Sequence, residues 1–558
     1  MNMPHEISAL PLPTLTVAMI VRNAAKTLPL TLKSIRSLTD SIVVTDTGSS
    51  DTTLEIARRY TSDVLSVPWQ HDFASARNQC LEKVRGHWVL WMDAGEYMDQ
   101  DEVRRLRDFV DNEAESNTAY RMMVRVSRSP HTIAAEQVAR IRLLPNRPGI
   151  QFVGRVREDV SPALAKLSLT VENLSWCIFR TADHHDQSTM TQKAQRDLEL
   201  ANLEIDQPGN PVRGLNCLGE ALQTLGEKNR AGDCFRRAIQ NANRGSIEML
   251  EGYYGLLTTL DGEPQSLEAQ LAVCLEALEV FPLDMQLLCA MGGYLQGQNR
   301  LDLAASSYET AYRYGQLAPE TWHLEEIREI AAVCCCLAKQ NEGQDDDAIA
   351  FLEEVLQENP ESTRLRILAV EIYSKRQKRD DALRHAELLP RNTPHRDTFP
   401  TMIDGVCLAA DRQWKPALAL LESAYQTGNR ETLCLRWLVT SLIGRDAHLR
   451  AEQILSEWKK LEPANQEPNR FQEQIDHQRK SIVNLETSQT ASSKDSNEQA
   501  HLEPPRPNPS PIPANPSSVG TIPSPPTSQN VNQVRIDSAV PADPPAPTVT
   551  PNFARRSE

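Results

Sequence analysis

The sequence predicts a multidomain protein: an N-terminal α/β domain, an all-α helical-repeat solenoid and a disordered Pro-rich tail. Three observations predict it. Short apolar runs alternate with amphipathic stretches over residues 14–205. A helical pattern with an internal period runs over 206–485, and composition shifts to Pro, Ser, Thr, Asn and Gln from 486. A chain of 558 residues is too long for one hydrophobic core, which agrees with several domains.

In the first territory, "LTVAMIVR" (15–22) is a short apolar run with β-branched residues, the pattern of a buried strand. A helix follows, with Thr27 as its cap, Pro29 in its first turn and Leu32, Ile35 and Leu38 at helical spacing. "SIVVTD" (41–46) is the second strand, and Ser50 or Asp51 caps the helix that carries Leu54, Ile56 and Ala57. "DVLSVPW" (63–69) is the third strand, "FASARNQCLEKV" (73–84) a helix with Asp72 as its cap, and "HWVLWMD" (87–93) the fourth strand. Strands separated by helices in this way imply a parallel sheet with right-handed crossovers. Further strands over 119–127, 137–145 and 167–174 read as mixed or antiparallel additions to that sheet.

The second territory repeats itself. Leu215, Leu218, Gly219, Leu222, Ala231, Phe235 and Ala238 fall on the tetratricopeptide pattern, and Leu288, Met291, Gly292, Leu295, Ala304, Tyr308 and Ala311 repeat the spacing. Small residues let two helices approach, large ones fill the gap, and each helix pair must stack on its neighbours to bury its apolar face. The tail holds fifteen of the 36 prolines between Pro504 and Pro551 and has too little apolar surface to offset chain entropy. Residues 1–13 read as a flexible N-terminus.

The formal charge of −16 opposes a nucleic-acid partner, which needs a basic face. The Arg104, Arg105 and Arg107 cluster reads as a solvated helix face. No apolar run is long enough to span a bilayer, and the first residues lack a basic start followed by an apolar core. The 11 cysteines show no CxxC pairs, and the consecutive Cys334, Cys335 and Cys336 on a helix cannot all ligate one metal. Reduced, buried thiols in a cytoplasmic protein are expected.

In open α/β sheets ligands bind beyond the carboxyl ends of the strands. Arg22 and Asn23 end the first strand, Asp46 the second and Asp93 the fourth. The "TGSSD" loop after Asp46 adds backbone donors ahead of a helix, which suits an anion or a ribose, although a plain capped turn has the same composition. Taken together, "LTVAMIVRNAAKTLPLTLKSI", "IVVTDTGSSDTTLEIA", "VPWQHDFASARNQCLEKVRGHWVLWMDAGE" and "FVGRVRE" resemble, in order, the inverting family 2 glycosyltransferases, and in particular the bacterial branch that joins this domain to tetratricopeptide repeats.

The resemblance implies a Rossmann-like fold of the GT-A type, a nucleotide-diphosphate sugar donor and a glycan or protein acceptor, with protein partners on the repeats. Under it, Asn23, Asp46, Arg77 and Asn78 line the nucleotide pocket, and Asp93 is the first aspartate of the family's Asp-x-Asp motif. The second aspartate falls on Gly95. A divalent Mg²⁺ or Mn²⁺ is the implied cofactor; Asp93, Glu96, which a positive φ at Gly95 can rotate into the vacancy, and His185 (or its neighbour His184) in "TADHHDQS" are its candidate ligands. In "RVRED", Arg157-Glu158 stands where the family branch usually has His-Glu. Inverting transfer needs a base for the acceptor's proton, and Glu158 is the candidate. Arg157 is expected to tune Glu158 or to contact phosphate oxygens. Gly95 and Arg157 also admit a second reading, a catalytically inactive transferase-like domain in a protein-binding repeat scaffold.

Overall fold

The computed structural model describes residues 13–126, 134–181, 187–207, 211–261, 266–463 and 465–480. The tail, the first twelve residues and the His184-His185 pair lie outside the described residues. The chain divides into two compact units, one running up to Ala369 and the other beginning at Val370.

The first unit opens with β1 (Leu15–Val21), α1 (Leu28–Ser34), β2 (Ser41–Asp46), α2 (Thr53–Arg58), β3 (Val64–Ser66), α3 (Phe73–Leu81) and β4 (Trp88–Trp91). It continues with β5 (Glu96–Tyr97), α4 (Gln100–Asn112), β6 (Thr118–Val126), β7 (Glu136–Pro145), α5 (Ser161–Lys166), β8 (Thr170–Arg180) and α6 (Gln187–Ile205). The strands form one mixed sheet in the order β3-β2-β1-β4-β7-β6-β8-β5. β1 pairs in parallel with β2 and β4, and β2 with β3. β7 runs antiparallel to both β4 and β6.

β1 is apolar along nearly its whole length because both faces of this central parallel strand are covered. Leu15, Val17, Met19 and Val21 pack with Leu28 and Leu32 of α1 and Val103, Leu106 and Val110 of α4. Ala18 and Ile20 point the other way, into a core shared with Ala74 and Cys80 of α3 and Leu164 of α5. β4 follows the same alternation: Trp88, Leu90 and Met92 join the first core, Val89 and Trp91 the second. Asp93 continues the series of Val89 and Trp91 and so falls on the α3 side of the sheet.

The helices that follow are α7 (Val212–Thr224), α8 (Lys228–Asn241), α9 (Ile247–Thr259), α10 (Leu267–Val280), α11 (Met285–Gly297) and α12 (Leu301–Tyr314). After the short strand β9 (His323–Leu324) come α13 (Ile327–Asn341), α14 (Asp345–Glu358) and α15 (Thr363–Lys375), within which the second unit begins. That unit continues with α16 (Arg379–Glu387), α17 (Phe399–Ala410), α18 (Trp414–Gln426), α19 (Thr432–Ile443) and α20 (His448–Leu461). The helix pairs fall where the repeat spacing places them. A Cβ on Gly219 would lie 2.7 Å from the Phe235 ring, and one on Gly292 2.6 Å from the Tyr308 ring. Glycine at these positions is what allows α7–α8 and α11–α12 to touch.

β9 is a departure from a purely helical second territory. It pairs antiparallel with the start of β7, Glu136 opposite Leu324 and Gln137 opposite His323. β4 pairs with the other end of β7, at Leu143–Pro145. β9 therefore continues the lane of β4 beyond its carboxyl end. Ion pairs Arg121–Glu320 (3.2 Å) and Arg125–Glu325 (2.8 Å) flank it. Trp322 packs on the α/β core. Among the described residues no helix is long and apolar enough to cross a membrane.

Candidate active site

The carboxyl ends of β2, β1 and β4 are neighbours in the sheet, so Asp46, Asn23 and Asp93 all stand on one rim. Asp46 is buried, and its Oδ2 accepts from the Gly48 and Ser49 amides at 3.1 and 3.0 Å. Asn23, at φ +49, donates its amide to Ser49 Oγ (2.8 Å), and its side-chain oxygen accepts from the Ser50 amide (2.8 Å). Together the two residues close the 47–50 loop. Asp51 Oδ1 accepts from the Thr53 amide (3.0 Å), which orders the start of α2.

Arg77 reaches the rim from α3. Its guanidinium lies 4.8 Å from the Trp91 ring centroid and 5.3 Å from that of Phe152, so two aromatic faces hold it. Its Nε donates to Glu158 Oε1, and its Nη2 lies 3.6 Å from Asp93 Oδ1. One guanidinium thus joins the two carboxylates singled out from the sequence. Asp72 caps α3 by accepting from the Ser75 amide (2.8 Å) and thereby fixes the helix that presents Arg77.

Gly95 takes φ +102, and the turn swings Glu96 inward to pair with Arg180 across the β5–β8 ladder. Glu96 is fully buried. Its Oε1 accepts from Arg142 of β7 (2.7 Å) and Arg180 of β8 (2.8 Å), and its Oε2 from the Asp93 amide (2.8 Å). The same two guanidiniums lie 3.2 and 3.3 Å from Asp93 Oδ2. Burial alone would raise the Asp93 carboxyl; Arg142, Arg77 and Arg180 outweigh it and hold the group well below the usual carboxylate range. Glu96 moves the other way, raised by burial and by Asp93 against the pull of Arg142 and Arg180.

This donor set does not fit a divalent cation. Glu96 has both oxygens engaged inside the protein, and Asp93, the one partly exposed carboxylate of the motif at 31% of its side chain, is ringed by guanidiniums that repel a metal. Among the described residues no group of three or more His, Cys, Asp or Glu side chains is placed to hold a metal. His185 lies outside the described residues.

Two of the donor-pocket candidates are engaged within the protein. Asn78 Nδ2 donates to the Phe152 carbonyl (2.9 Å) and its Oδ1 accepts from the Phe152 amide (2.8 Å), so it staples the loop before Glu158. Arg157, at φ +51, turns away from the rim and pairs with Glu220 of α7 and Glu251 of α9. A left-handed backbone sends neighbouring side chains apart, and the sequence signal of an Arg-Glu pair does not reveal that. The arginines that surround Asp93 and Glu96, Arg142 and Arg180, escaped the sequence reading because they sit in strands as ordinary polar positions. Lys193 of α6 was also missed; its ammonium senses Arg180 and Asp93. All 11 cysteines are buried, and none is disulfide-bonded.

The site belongs to a recognisable class. Residues 16–160 match the family model for glycosyl transferase family 2, and residues 341–398 match a tetratricopeptide repeat model. The chain therefore carries a family 2 glycosyltransferase domain joined to tetratricopeptide repeats. A TPR repeat-containing protein of Synechococcus elongatus is 34% identical over 164 residues, 29% of this chain and 39% of that protein. The prophage-derived glycosyltransferase SunS of Bacillus subtilis is 23% identical over 240 residues, 41% of this chain and 54% of that protein. The chain thus spans roughly half or less of the length of these relatives. The solved structure of S. aureus TarS is similar over 43% of this chain and 52% of its own, at 15% identity and a TM-score of 0.26.

Proposed function

We propose that the protein transfers a sugar from a nucleotide-diphosphate donor to an acceptor hydroxyl with inversion at the anomeric carbon. The observation that carries this reading is Arg77, which pairs with Glu158 and stands beside Asp93 at the strand rim. The nucleoside lies against the loop ordered by Asn23 and Asp46, and the diphosphate lies at Asp93. Arg77, Arg142 and Arg180 supply the counter-charge that a divalent cation supplies elsewhere, since guanidiniums donate well to phosphate oxygens. The acceptor oxygen attacks the anomeric carbon as the bond to the diphosphate breaks. Its proton passes to the Glu158 carboxylate, and the nucleoside diphosphate leaves. The repeats present the acceptor or bind a partner protein.

The experiment is a titration of the full chain with UDP-, GDP-, CDP- and dTDP-sugars, in EDTA and in Mn²⁺, with donor hydrolysis followed in parallel. One nucleotide should bind, and Asp93→Ala, which removes the carboxylate that Arg77, Arg142 and Arg180 share, should change that affinity while the helical CD signal persists. Glu158→Gln should keep donor affinity and lose turnover. Wild-type turnover in Glu158→Gln removes it as the base; binding without turnover on every donor and acceptor favours the inactive scaffold.

A further inference from the structure

The loop that carries Glu158 is embedded in the helical region. It is closed by reciprocal backbone bonds between Val153 and Asp159, each 2.9 Å. Within it the residues on either side of Glu158 are held by α6 and by the first repeat helices. The Arg155 amide donates to Glu204 Oε2 of α6 (2.7 Å). Val156 is 4% exposed and belongs to the same core as Leu200 and Ala201 of α6 and Cys217 and Leu218 of α7. Arg157 pairs with Glu220 and Glu251, and Asp159 Oδ2 accepts from Arg213 of α7 (2.9 Å). Towards the α/β domain, Arg155 donates to the His71 carbonyl (3.1 Å) and its own carbonyl accepts from the Phe73 amide (2.9 Å), while Glu158 turns inward to Arg77.

That division depends on the backbone at Arg157. A left-handed conformation at a residue with a Cβ costs about 1–2 kcal/mol and persists only where the surroundings over-determine it. Here the surroundings are Glu220, with 4% of its side chain exposed, and Glu251 at 17%. A guanidinium held between two carboxylates on two helices restrains the chain at Arg157, next to Glu158.

We propose that the helical region sets the aim of the general base: Glu220 and Glu251, acting through Arg157, are positioning residues for Glu158. The proposal rests on the reading of Glu158 as the base. It makes the repeats part of the catalytic apparatus, because the side chain of Arg157 is held by Glu220 and Glu251 of α7 and α9. Removal of the Glu220 charge relaxes the loop towards an ordinary backbone and turns Glu158 off the acceptor oxygen. Misplacement of a reacting group by about 1 Å costs on the order of a hundredfold in rate.

The test is a double-mutant cycle in the full chain with Glu220→Gln and Glu158→Gln, scored on donor hydrolysis. Glu220→Gln should lower kcat by about ten- to a hundredfold with the donor KM unchanged, and Glu220→Asp should recover most of it. On the residual hydrolysis left in Glu158→Gln, followed at high enzyme concentration, Glu220→Gln should cost nothing further, because the two act on one step. Full kcat in Glu220→Gln overturns the proposal. So does an equal loss in both backgrounds, the mark of a merely structural role. Wild-type kcat in Glu158→Gln instead overturns the assignment of the base. Amide hydrogen exchange at Val153 and Asp159 reads the same device without turnover. Exchange there should rise at least about tenfold in Glu220→Gln while β1 stays protected; unchanged protection overturns the proposal.

Discussion

Arg157 and Glu158 are consecutive in the chain, yet Arg157 is paired with the helical region and Glu158 with Arg77 of the α/β domain. The peptide between them is where the two parts of the first unit meet chemically. Burial would lower the pKa of Arg157, and Glu220 and Glu251 raise it above the ordinary arginine value. Removing one member of a buried ion pair is far costlier than never having had it, because the remaining charge stays desolvated.

Arg157→Met should therefore destabilise the first unit by about 3 kcal/mol, since Glu220 is left buried without its guanidinium. Urea denaturation followed by CD measures it. Arg157→Met combined with Glu220→Leu should restore most of that loss. A double variant as unstable as the single would mean that Arg157 acts by filling space.

The second prediction separates structure from chemistry in the DAGE turn. Glu96→Ala takes from Arg142 and Arg180 the more deeply buried of the two carboxylates that they share. It should lower stability by about 3–5 kcal/mol, visible as a fall in the thermal midpoint, whereas Asp93→Ala should change donor affinity far more than stability. If guanidiniums hold the diphosphate, EDTA should leave the calorimetric donor Kd within about twofold of its value in Mn²⁺, well under 1 kcal/mol. A donor affinity that collapses in EDTA would restore the metal.

The parts of this architecture that were legible have strong periodic signals. β1, β2 and β4 are buried on both faces and so appear as apolar runs, and the α7–α8 and α11–α12 pairs show small and large residues in register. β5 and β9 are two residues each and carry no period. β9 also joins β7 from far along the chain, a pairing that local pattern cannot report. At the site, Asp93 was marked by its place at a strand end, and Arg77 and Glu158 only by the resemblance to family 2 glycosyltransferases; the structure brings the three side chains together. Arg142 and Arg180 were marked by neither, since an arginine in a strand ordinarily faces water, and only tertiary packing shows that these turn onto buried carboxylates.

A third prediction tests the close packing of the repeats. Phe235 lies against two glycines: a Cβ on Gly219 would come within 2.7 Å of its ring and one on Gly255 within 2.3 Å. Overpacking of a filled core costs about 1–3 kcal/mol, so Gly219→Ala should lower the unfolding midpoint even though alanine favours helix. Pairing it with Phe235→Leu should recover part of the loss by freeing ring space. A neutral or stabilising Gly219→Ala would show that α7 and α8 separate easily.

The last prediction concerns pH. Lys193 is pushed down to about 8, first by burial and then by Arg180 of β8 and Arg196 of α6, with Asp197 of α6 and Asp93 after β4 opposing. A nucleoside diphosphate at Asp93 brings negative charge to this group and favours its ammonium form, so the pKa in the complex must be higher than in the free protein. The sign follows from linkage. Below pH 8 both states carry the proton and affinity is flat; above it the free protein loses the proton first, and binding must then take one up. Donor Kd should thus rise with pH from about 8, by at most about tenfold per unit, until the pKa of the complex is reached. Calorimetry in two buffers of different ionisation enthalpy should show proton uptake in the same window. Lys193→Met should weaken binding below pH 8 and abolish the slope above it. A Kd that stays constant from pH 7 to pH 9.5 in the wild-type protein would place Lys193 outside the reach of the diphosphate.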